Sequence, residues 1–150
     1  MISNNVSRTR VWIVHAILKL QYTLKESFYS LDEVVSLALA LPKVHVVGSE
    51  IVKLSRLKPD TFFGKGVTIR LGDVLKAQNI GLLIVNSHLS PVQQRNLEKQ
   101  FSVKILDRTA LILEIFSDRA QTREGVLQVE IAALSYQRSR LVRAWTHLER

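Results

Sequence analysis

Residues 80–93 read IGLLIVNSHLSPVQ, and this stretch indicates the class of fold. Residues 80–85 are a short apolar segment, which is typical of a strand buried on both faces of a parallel sheet. Ser90, Pro91 and Gln93 then follow in the order of a helix N-terminus: a capping serine, a proline at the first helical position and a glutamine three residues after the cap. The stretch predicts a strand leading directly into a helix, which is the repeating unit of an α/β fold.

The same alternation continues on both sides of this unit. Strands are predicted at residues 11–18, at 44–47 with an extension to 52, and at 103–106. Helices are predicted at residues 31–41, 68–78 and 91–100, with loops at 21–30 and 53–66. Ser30 lies three residues before Glu33, which is the spacing of a capping box, and Pro42 ends that helix. We therefore expect an α/β fold with a small, mostly parallel sheet flanked by helices.

The pattern changes after residue 107. Residues 109–121 predict a helix packed on the sheet, and residues from 124 onward predict a long C-terminal helix. The long helix carries apolar side chains at heptad spacing, interrupted once by Arg138, and we call them the heptad seam: Leu127, Ile131, Leu134, Leu141, Trp145 and Leu148. We expect an α/β subdomain at residues 1–108, with about nine flexible residues at its start. A helical subdomain at 109–150 would offer the heptad seam to a partner helix.

The composition narrows the class of protein. The chain has 150 residues, the size of one ordinary domain. It contains no cysteine, which excludes disulfides, thiol nucleophiles and thiolate metal sites. Lys and Arg number 21 against 13 Asp and Glu, and the net charge of +8 favours an anionic partner. No apolar run approaches the roughly 18–20 residues of a membrane span, and we expect a cytoplasmic protein.

The sequence offers little for catalysis. Gly64, Lys65 and Gly66 come nearest to a phosphate-binding P-loop, but they lack its earlier glycine and its Ser or Thr. They are expected to form a tight turn before a helix, and at most a weak anion site. The histidines show no metal-ligand spacing, and no nucleophile elbow occurs. We therefore expect no catalytic residue, no metal site and no bound cofactor in this chain.

Basic residues give the stronger functional signal. Cations on the predicted 53–66 loop and on the last helix could contact phosphates, and a nearby tryptophan could stack on bases. The alternative is an ordinary solvated surface. The candidate RNA contacts are Lys53, Arg56, Lys58, Lys65, Arg138, Arg140, Arg143 and Trp145.

A group of motifs identifies a family. The stretches that carry it are FGKG at 63–66, LSPVQQRNLE at 89–98, VKILDRT at 103–109, LILEIF at 111–116, TREG at 122–125, LQVE at 127–130, SRLVR at 139–143 and WTHLER at 145–150. Together they resemble the HflX family of ribosome-associated GTPases. Ala110 and Ser139 depart from the family's frequent glycine and proline at those positions.

The resemblance implies an N-terminal domain made of an α/β subdomain and a long helical hairpin. It implies that the whole protein binds the large ribosomal subunit, splits stalled or idle ribosomes and uses GTP hydrolysis to leave them. The hairpin would approach the peptidyl-transferase end of the subunit. The sequence ends at Arg150, before the family's glycine-rich connector. The second hairpin helix and the GTPase domain are therefore expected to be missing, and GTP and Mg²⁺ are implied only for that domain.

Three functions follow as hypotheses. The first is a ribosome-binding N-terminal domain that contacts ribosomal RNA and does not itself hydrolyse GTP. The second is a nucleotide-binding module at the Gly64–Gly66 turn. The third is a regulator that docks a helix on the heptad seam, either from the missing part of the protein, in cis or in trans, or from a second copy of the chain.

Overall fold

The computed structural model describes residues 7–19 and 24–148, and the side chains of all of these except residues 24 and 139–148. Strands and helices alternate along most of this part of the chain. The strands are β1 (Thr9–Leu18), β2 (Val44–Leu54), β3 (Leu82–Val85) and β4 (Lys104–Asp107). The helices are α1 (Leu24–Ala38), α2 (Lys65–Ala77), α3 (Pro91–Phe101), α4 (Arg108–Arg119) and α5 (Arg123–Leu148).

The strands form one parallel sheet in the order β2-β1-β3-β4. Helix α1 connects β1 to β2, α2 connects β2 to β3, and α3 connects β3 to β4. Helices α1 and α4 lie on one face of the sheet, and α2 and α3 lie on the other. The predicted α/β fold with a parallel sheet flanked by helices and a long C-terminal helix is confirmed.

Successive residues of each strand pack on opposite faces of the sheet. Ile13 and Ile84 join the core beneath α1 and α4, whereas Val14 and Leu83 join the core beneath α2 and α3. Both faces are therefore buried, which explains why the strands are continuously apolar. All four side chains are fully buried.

The start of α1 differs from the prediction. The helix begins at Leu24, so residues 24–30 are helical and Ser30 lies inside the helix. The prediction that Ser30 caps this helix was therefore wrong. Ser27 is only 1% exposed and takes a core-facing position in front of Leu31 and Val34, so the buried stripe begins with a polar residue. Because this position is polar, the repeat of apolar residues at helical spacing does not extend to the first turns of α1.

Two boundaries in the middle of the chain also differ. Strand β2 continues to Leu54, and α2 begins at Lys65, three residues before the predicted start. Gly66 therefore lies in the first turn of α2, so the turn before this helix does not include it. The predicted capping box of α3 is confirmed, since the Ser90 side chain accepts from the Gln93 amide and the Gln93 side chain accepts from the Ser90 amide.

A tryptophan and a glycine shape the pairing of β1 with the edge strand β2. The register between these strands shifts at Val11 and Trp12, where β2 contains an extra residue. A Cβ at Gly48 would lie 2.3 Å from Cζ3 of Trp12, so only glycine fits beneath this ring. The Trp12 indole donates to Glu50 over 3.0 Å, and Arg70 of α2 donates to the same carboxylate over 2.6 Å. This chain of contacts joins α2 to the strand pair.

Helix α5 leaves the α/β part as a long rod that contacts α3 and α4. Among the described seam residues, Leu127 is 48% exposed, and Ile131 and Leu134 are each 63% exposed. The seam side chains at Leu141, Trp145 and Leu148 lie outside the described residues. Among the helices of the described ranges, none is both long and apolar enough to cross a bilayer.

Candidate functional site

Open α/β sheets bind ligands beyond the carboxyl ends of their strands, so a binding site is expected at the carboxyl edge of this sheet. The four strands end there at Leu18, Leu54, Val85 and Asp107. Two groups of polar side chains occupy this edge. One group lines a cationic cavity beyond β2, and the other forms a hydrogen-bonded network beyond β3 and β4.

The cationic cavity has a volume of about 160 Å³. It is lined by Lys53, Leu54, Ser55, Arg56, Lys58, Gly64 and Val67. The structure thus brings together Lys53, Arg56 and Lys58 of the predicted RNA contacts with Gly64 of the predicted anion site. Within the described residues, none of these three cations has a carboxylate oxygen within 4.0 Å. The cavity therefore carries uncompensated positive charge.

The loop that carries Lys58 is held firmly on the protein. Lys58 and Phe62 exchange backbone hydrogen bonds of 3.0 and 2.9 Å. From α3, the side-chain amide of Gln93 donates to the Lys58 carbonyl over 2.7 Å, and the side-chain amide of Asn96 donates to the Asp60 carbonyl over 2.8 Å. Phe62 and its neighbour Phe63 are buried in the core. The loop therefore presents its cations from a fixed backbone.

Phe62 is also strained, with a φ of +62° in the left-handed region. That conformation is costly for a residue with a bulky side chain. The burial of its ring and its two backbone hydrogen bonds hold it in place.

Helix α2 begins beside the cavity without a side-chain cap. Gly64 is its N-cap residue in an extended conformation, with φ −66° and ψ 164°. A Cβ built at Gly64 or Gly66 would meet nothing within 4 Å, so the space around the first turn is open. Neither glycine has a positive φ, so the backbone does not require glycine at either position. Lys65 is exposed but does not line the cavity.

The hydrogen-bonded network lies beyond β3 and β4 and includes His15 of β1. The side-chain nitrogen of buried Asn86 lies 3.1 Å from Nδ1 of His15, and its oxygen accepts from Arg108 over 2.9 Å. Arg108 also donates to Glu33 of α1 over 2.7 Å. Burial lowers the pKa of His15 and the nearby Arg108 charge lowers it further, against an opposing hydrogen bond with Asn86. These groups satisfy one another, so the network supports the sheet edge.

Asp107, the last residue of β4, also lies at this edge of the sheet and is fully buried. Its Oδ1 accepts from the Ala110 amide over 2.9 Å and from the Tyr136 hydroxyl over 2.8 Å. Its Oδ2 accepts from the Leu89 amide over 3.2 Å. Asp107 thereby caps α4 and tethers α5. Its position directly before an apolar helix signals the cap, but no local pattern in the sequence signals the partnership with Tyr136.

Of the remaining predicted contacts, Lys65 and Arg138 are described, and neither lines the cavity. Arg138 is exposed on α5. The side chains of Arg140, Arg143 and Trp145 lie outside the described residues. In the described ranges, no cluster of three His, Cys, Asp or Glu side chains could hold a metal ion. The residues around Gly64 also lack the P-loop pattern, so they do not fit the Mg²⁺ and phosphate site of a GTPase, and we derive no hydrolytic step from them.

Known proteins resemble this chain in sequence and in fold. Residues 29–117 match the family described as GTP-binding GTPase N-terminal, and residues 119–150 match the one described as GTP-binding GTPase Middle Region. The chain is 49% identical over 120 residues to GTPase HflX of Magnetococcus marinus, covering 80% of this chain and 28% of that protein. It is 47% identical over 92 residues to GTPase HflX of Escherichia coli, covering 61% of this chain and 22% of that protein.

A solved structure shares the fold. The chain resembles a GTP-binding protein from the archaeon Sulfolobus solfataricus, solved in complex with GDP, with a TM-score of 0.67 and 19% identity. The match covers 92% of this chain and 40% of that protein, and it shows the fold alone. The chain spans about a quarter of the length of the curated relatives it matches. On its sequence matches, the chain belongs to the HflX family of GTPases, with residues that correspond to the family's N-terminal and middle regions.

Proposed function

We propose that this chain is the part of an HflX-type GTPase that docks on the large ribosomal subunit by contacting ribosomal RNA. In the complete protein this docking would serve ribosome splitting or rescue, and it would place the protein in the cytoplasm. One observation carries the proposal: Lys53, Arg56 and Lys58 line a single cavity and have no carboxylate partner within the described residues.

Charge explains why RNA is the favoured partner. Cations without a carboxylate partner near a protein surface gain free energy when they meet phosphates, because counterions are released from the nucleic acid. The net charge of +8 would also attract the chain towards RNA at long range. Lys65 and Arg138 are exposed and could widen the contact. Arg140, Arg143 and Trp145 stay in the proposal as candidates from the sequence.

Co-sedimentation tests this proposal. The chain should pellet with purified large subunits at low salt and be released as the salt concentration rises. Replacing Arg138, Arg140 and Arg143 together by Ala should weaken the association and flatten its salt dependence. The triple change of Lys25, Lys76 and Lys99 to Ala removes the same charge from other exposed positions and serves as the matched control. Failure of the wild-type chain to pellet with large subunits at low salt would refute the proposal.

We assign GTP hydrolysis, with its GTP and Mg²⁺, to the part of such a protein that lies outside this chain. The isolated chain is then expected to release no phosphate from GTP above background. The alternative of a purine-nucleotide site at Gly64 is less favoured, because the cavity is smaller than the roughly 300 Å³ of a typical small-molecule pocket. Equilibrium titration with ATP and GTP distinguishes this nucleotide-binding alternative from the proposed docking on RNA, because only the alternative predicts saturable binding of the nucleotides.

The heptad seam favours a second candidate function, the docking of a partner helix. Leu127, Ile131 and Leu134 each leave about half or more of their surface exposed. Apolar side chains at heptad spacing are buried in coiled coils by a facing helix. The second hairpin helix, supplied with the GTPase domain in cis or in trans, is the expected occupant. In a solution of the isolated chain, the long helix of a second copy would occupy the seam in place of the second hairpin helix.

A further inference from the structure

We infer that the cationic cavity binds one phosphate group. This inference deepens the proposed function and rests on it for the source of that group, which would be a backbone phosphate of ribosomal RNA. The ligand is a phosphate in a phosphodiester, not a base or a whole nucleotide.

The positive charge of the cavity lining favours the binding of an anion. Lys53, Arg56 and Lys58 converge on about 160 Å³, and like charges held close together repel one another. The acidic residue of the same loop, Asp60, does not line the cavity. Its carboxylate accepts from the Thr61 amide over 2.9 Å. A bound anion would offset the repulsion that the described residues leave uncompensated.

The backbone around the cavity is already in place for a ligand. Gln93 and Asn96 hold the loop through its carbonyls, so the loop backbone does not have to be reordered when an anion binds. The space beside Gly64 and Gly66 is open, so an anion in the cavity could also approach the first-turn amides of α2. These amides add to a site that the three cations define.

The lining selects a phosphate over a base. The side chains around the cavity are aliphatic, hydroxylic or cationic, and none of them is aromatic. Phe62 and Phe63 are buried in the core and offer no stacking face. Unpaired bases are held largely by stacking, whereas phosphates are held by cations and amides. The volume of about 160 Å³ is large enough for a phosphate group, since one water molecule takes about 30 Å³.

Titration of the ¹⁵N-labelled chain with inorganic phosphate tests the site. We expect saturable, one-to-one shifts of the amide signals of Lys65, Gly66 and Val67, measured against sodium chloride at matched ionic strength. Changing Lys53, Arg56 and Lys58 together to Ala should weaken binding about tenfold or more, since each removes a charge-assisted contact. The Lys25, Lys76 and Lys99 triple variant should bind as the wild type does.

A milder variant guards against misfolding. Lys53 and Arg56 are exposed, so the double change to Gln removes both charges at little risk to the fold. It should weaken phosphate binding while leaving the amide spectrum otherwise unchanged. Shifts that match the chloride titration, or that persist equally in the Lys53, Arg56 and Lys58 variant, would overturn the inference.

A second arm identifies the source of the phosphate. A short oligouridine without terminal phosphates should shift the same amides and compete with inorganic phosphate. If inorganic phosphate binds but the oligouridine does not, the assignment to an RNA backbone is wrong. If the chain pellets with large subunits but binds no phosphate, this inference fails and the proposed function stands. If phosphate binds but the chain does not pellet, the proposed function fails instead.

Discussion

The Tyr136 hydroxyl donates a 2.8 Å hydrogen bond to Oδ1 of Asp107, a carboxylate with no exposed surface. Asp107 ends β4 and caps α4, whereas Tyr136 lies at the middle of α5. The bond therefore joins the region that matches the N-terminal family to the region that matches the middle family. Because Asp107 also accepts from the Leu89 amide, one side chain connects α5 to the start of α3.

Changing Tyr136 to Phe should lower the free energy of unfolding by about 1–2 kcal/mol, because it removes this hydrogen bond while keeping the ring. Amide exchange in α5 should accelerate as well. Urea denaturation and hydrogen exchange measure the two effects. The control is Gln137→Ala at the next, exposed position, which should stay within about 0.5 kcal/mol of wild type. Equal stability of the Tyr136 variant and wild type would show that the contact does not stabilise the fold.

Two glycines should respond to alanine in opposite directions. Gly48→Ala should cost about 1–3 kcal/mol, because the new methyl group would collide with the Trp12 ring. Gly66→Ala should stabilise the chain by about 0.5–1 kcal/mol, because it meets nothing within 4 Å and alanine is the better helix former. Urea denaturation measures both, and Trp12 fluorescence should shift only in the Gly48 variant. A Gly48 variant as stable as wild type would contradict the packing described for β1 and β2.

Stability should fall as the solution becomes mildly acidic, through His15. The folded-state pKa of His15 is lowered, so the unfolded chain binds its proton more readily. The contribution is complete above the unfolded value of about 6.5 and is lost as the pH falls from there towards the lowered folded pKa. Unfolding free energies between pH 7.5 and 5 test this. Replacing His15 by Asn should flatten that part of the curve, and an unchanged slope would assign the pH dependence to other groups.

The heptad seam predicts self-association of the chain. Burial of Leu127, Ile131 and Leu134 against a second helix is favourable, since each is largely exposed in the single chain. We expect a concentration-dependent increase in mass by light scattering. Changing Ile131 and Leu134 to Glu should abolish it, whereas Glu at exposed Ser135 should not. A wild-type chain that stays monomeric at high concentration would contradict the prediction.

The sequence was sufficient for the α/β layer, because buried parallel strands are continuously apolar and carry their own signal. Residues 80–85 contain β3, and Ser90, Pro91 and Gln93 mark the start of α3 correctly. The start of α1 was missed because Ser27 occupies a core position, and a polar residue breaks the apolar period. Ser30 then offered a capping-box spacing that occurs inside a continuous helix.

The candidate site could be predicted only in part. Basic residues near the 53–66 loop were recognisable, but their convergence depends on Gln93 and Asn96, which hold the loop from a distant helix. The Asp107–Tyr136 bond spans 29 residues and depends on how α5 packs against α3 and α4. Such contacts arise from tertiary packing and leave no periodic pattern in the sequence.

The salt dependence of binding to purified large ribosomal subunits measures whether the cationic cavity contacts ribosomal RNA. We predict that the logarithm of the association constant falls linearly with the logarithm of salt concentration. The Lys53, Arg56 and Lys58 triple variant should bind more weakly, with a slope shallower by about one, as expected for the loss of one phosphate contact. The Lys25, Lys76 and Lys99 variant should keep the wild-type slope. Absence of binding at low salt, or identical slopes for both triple variants, would contradict the account.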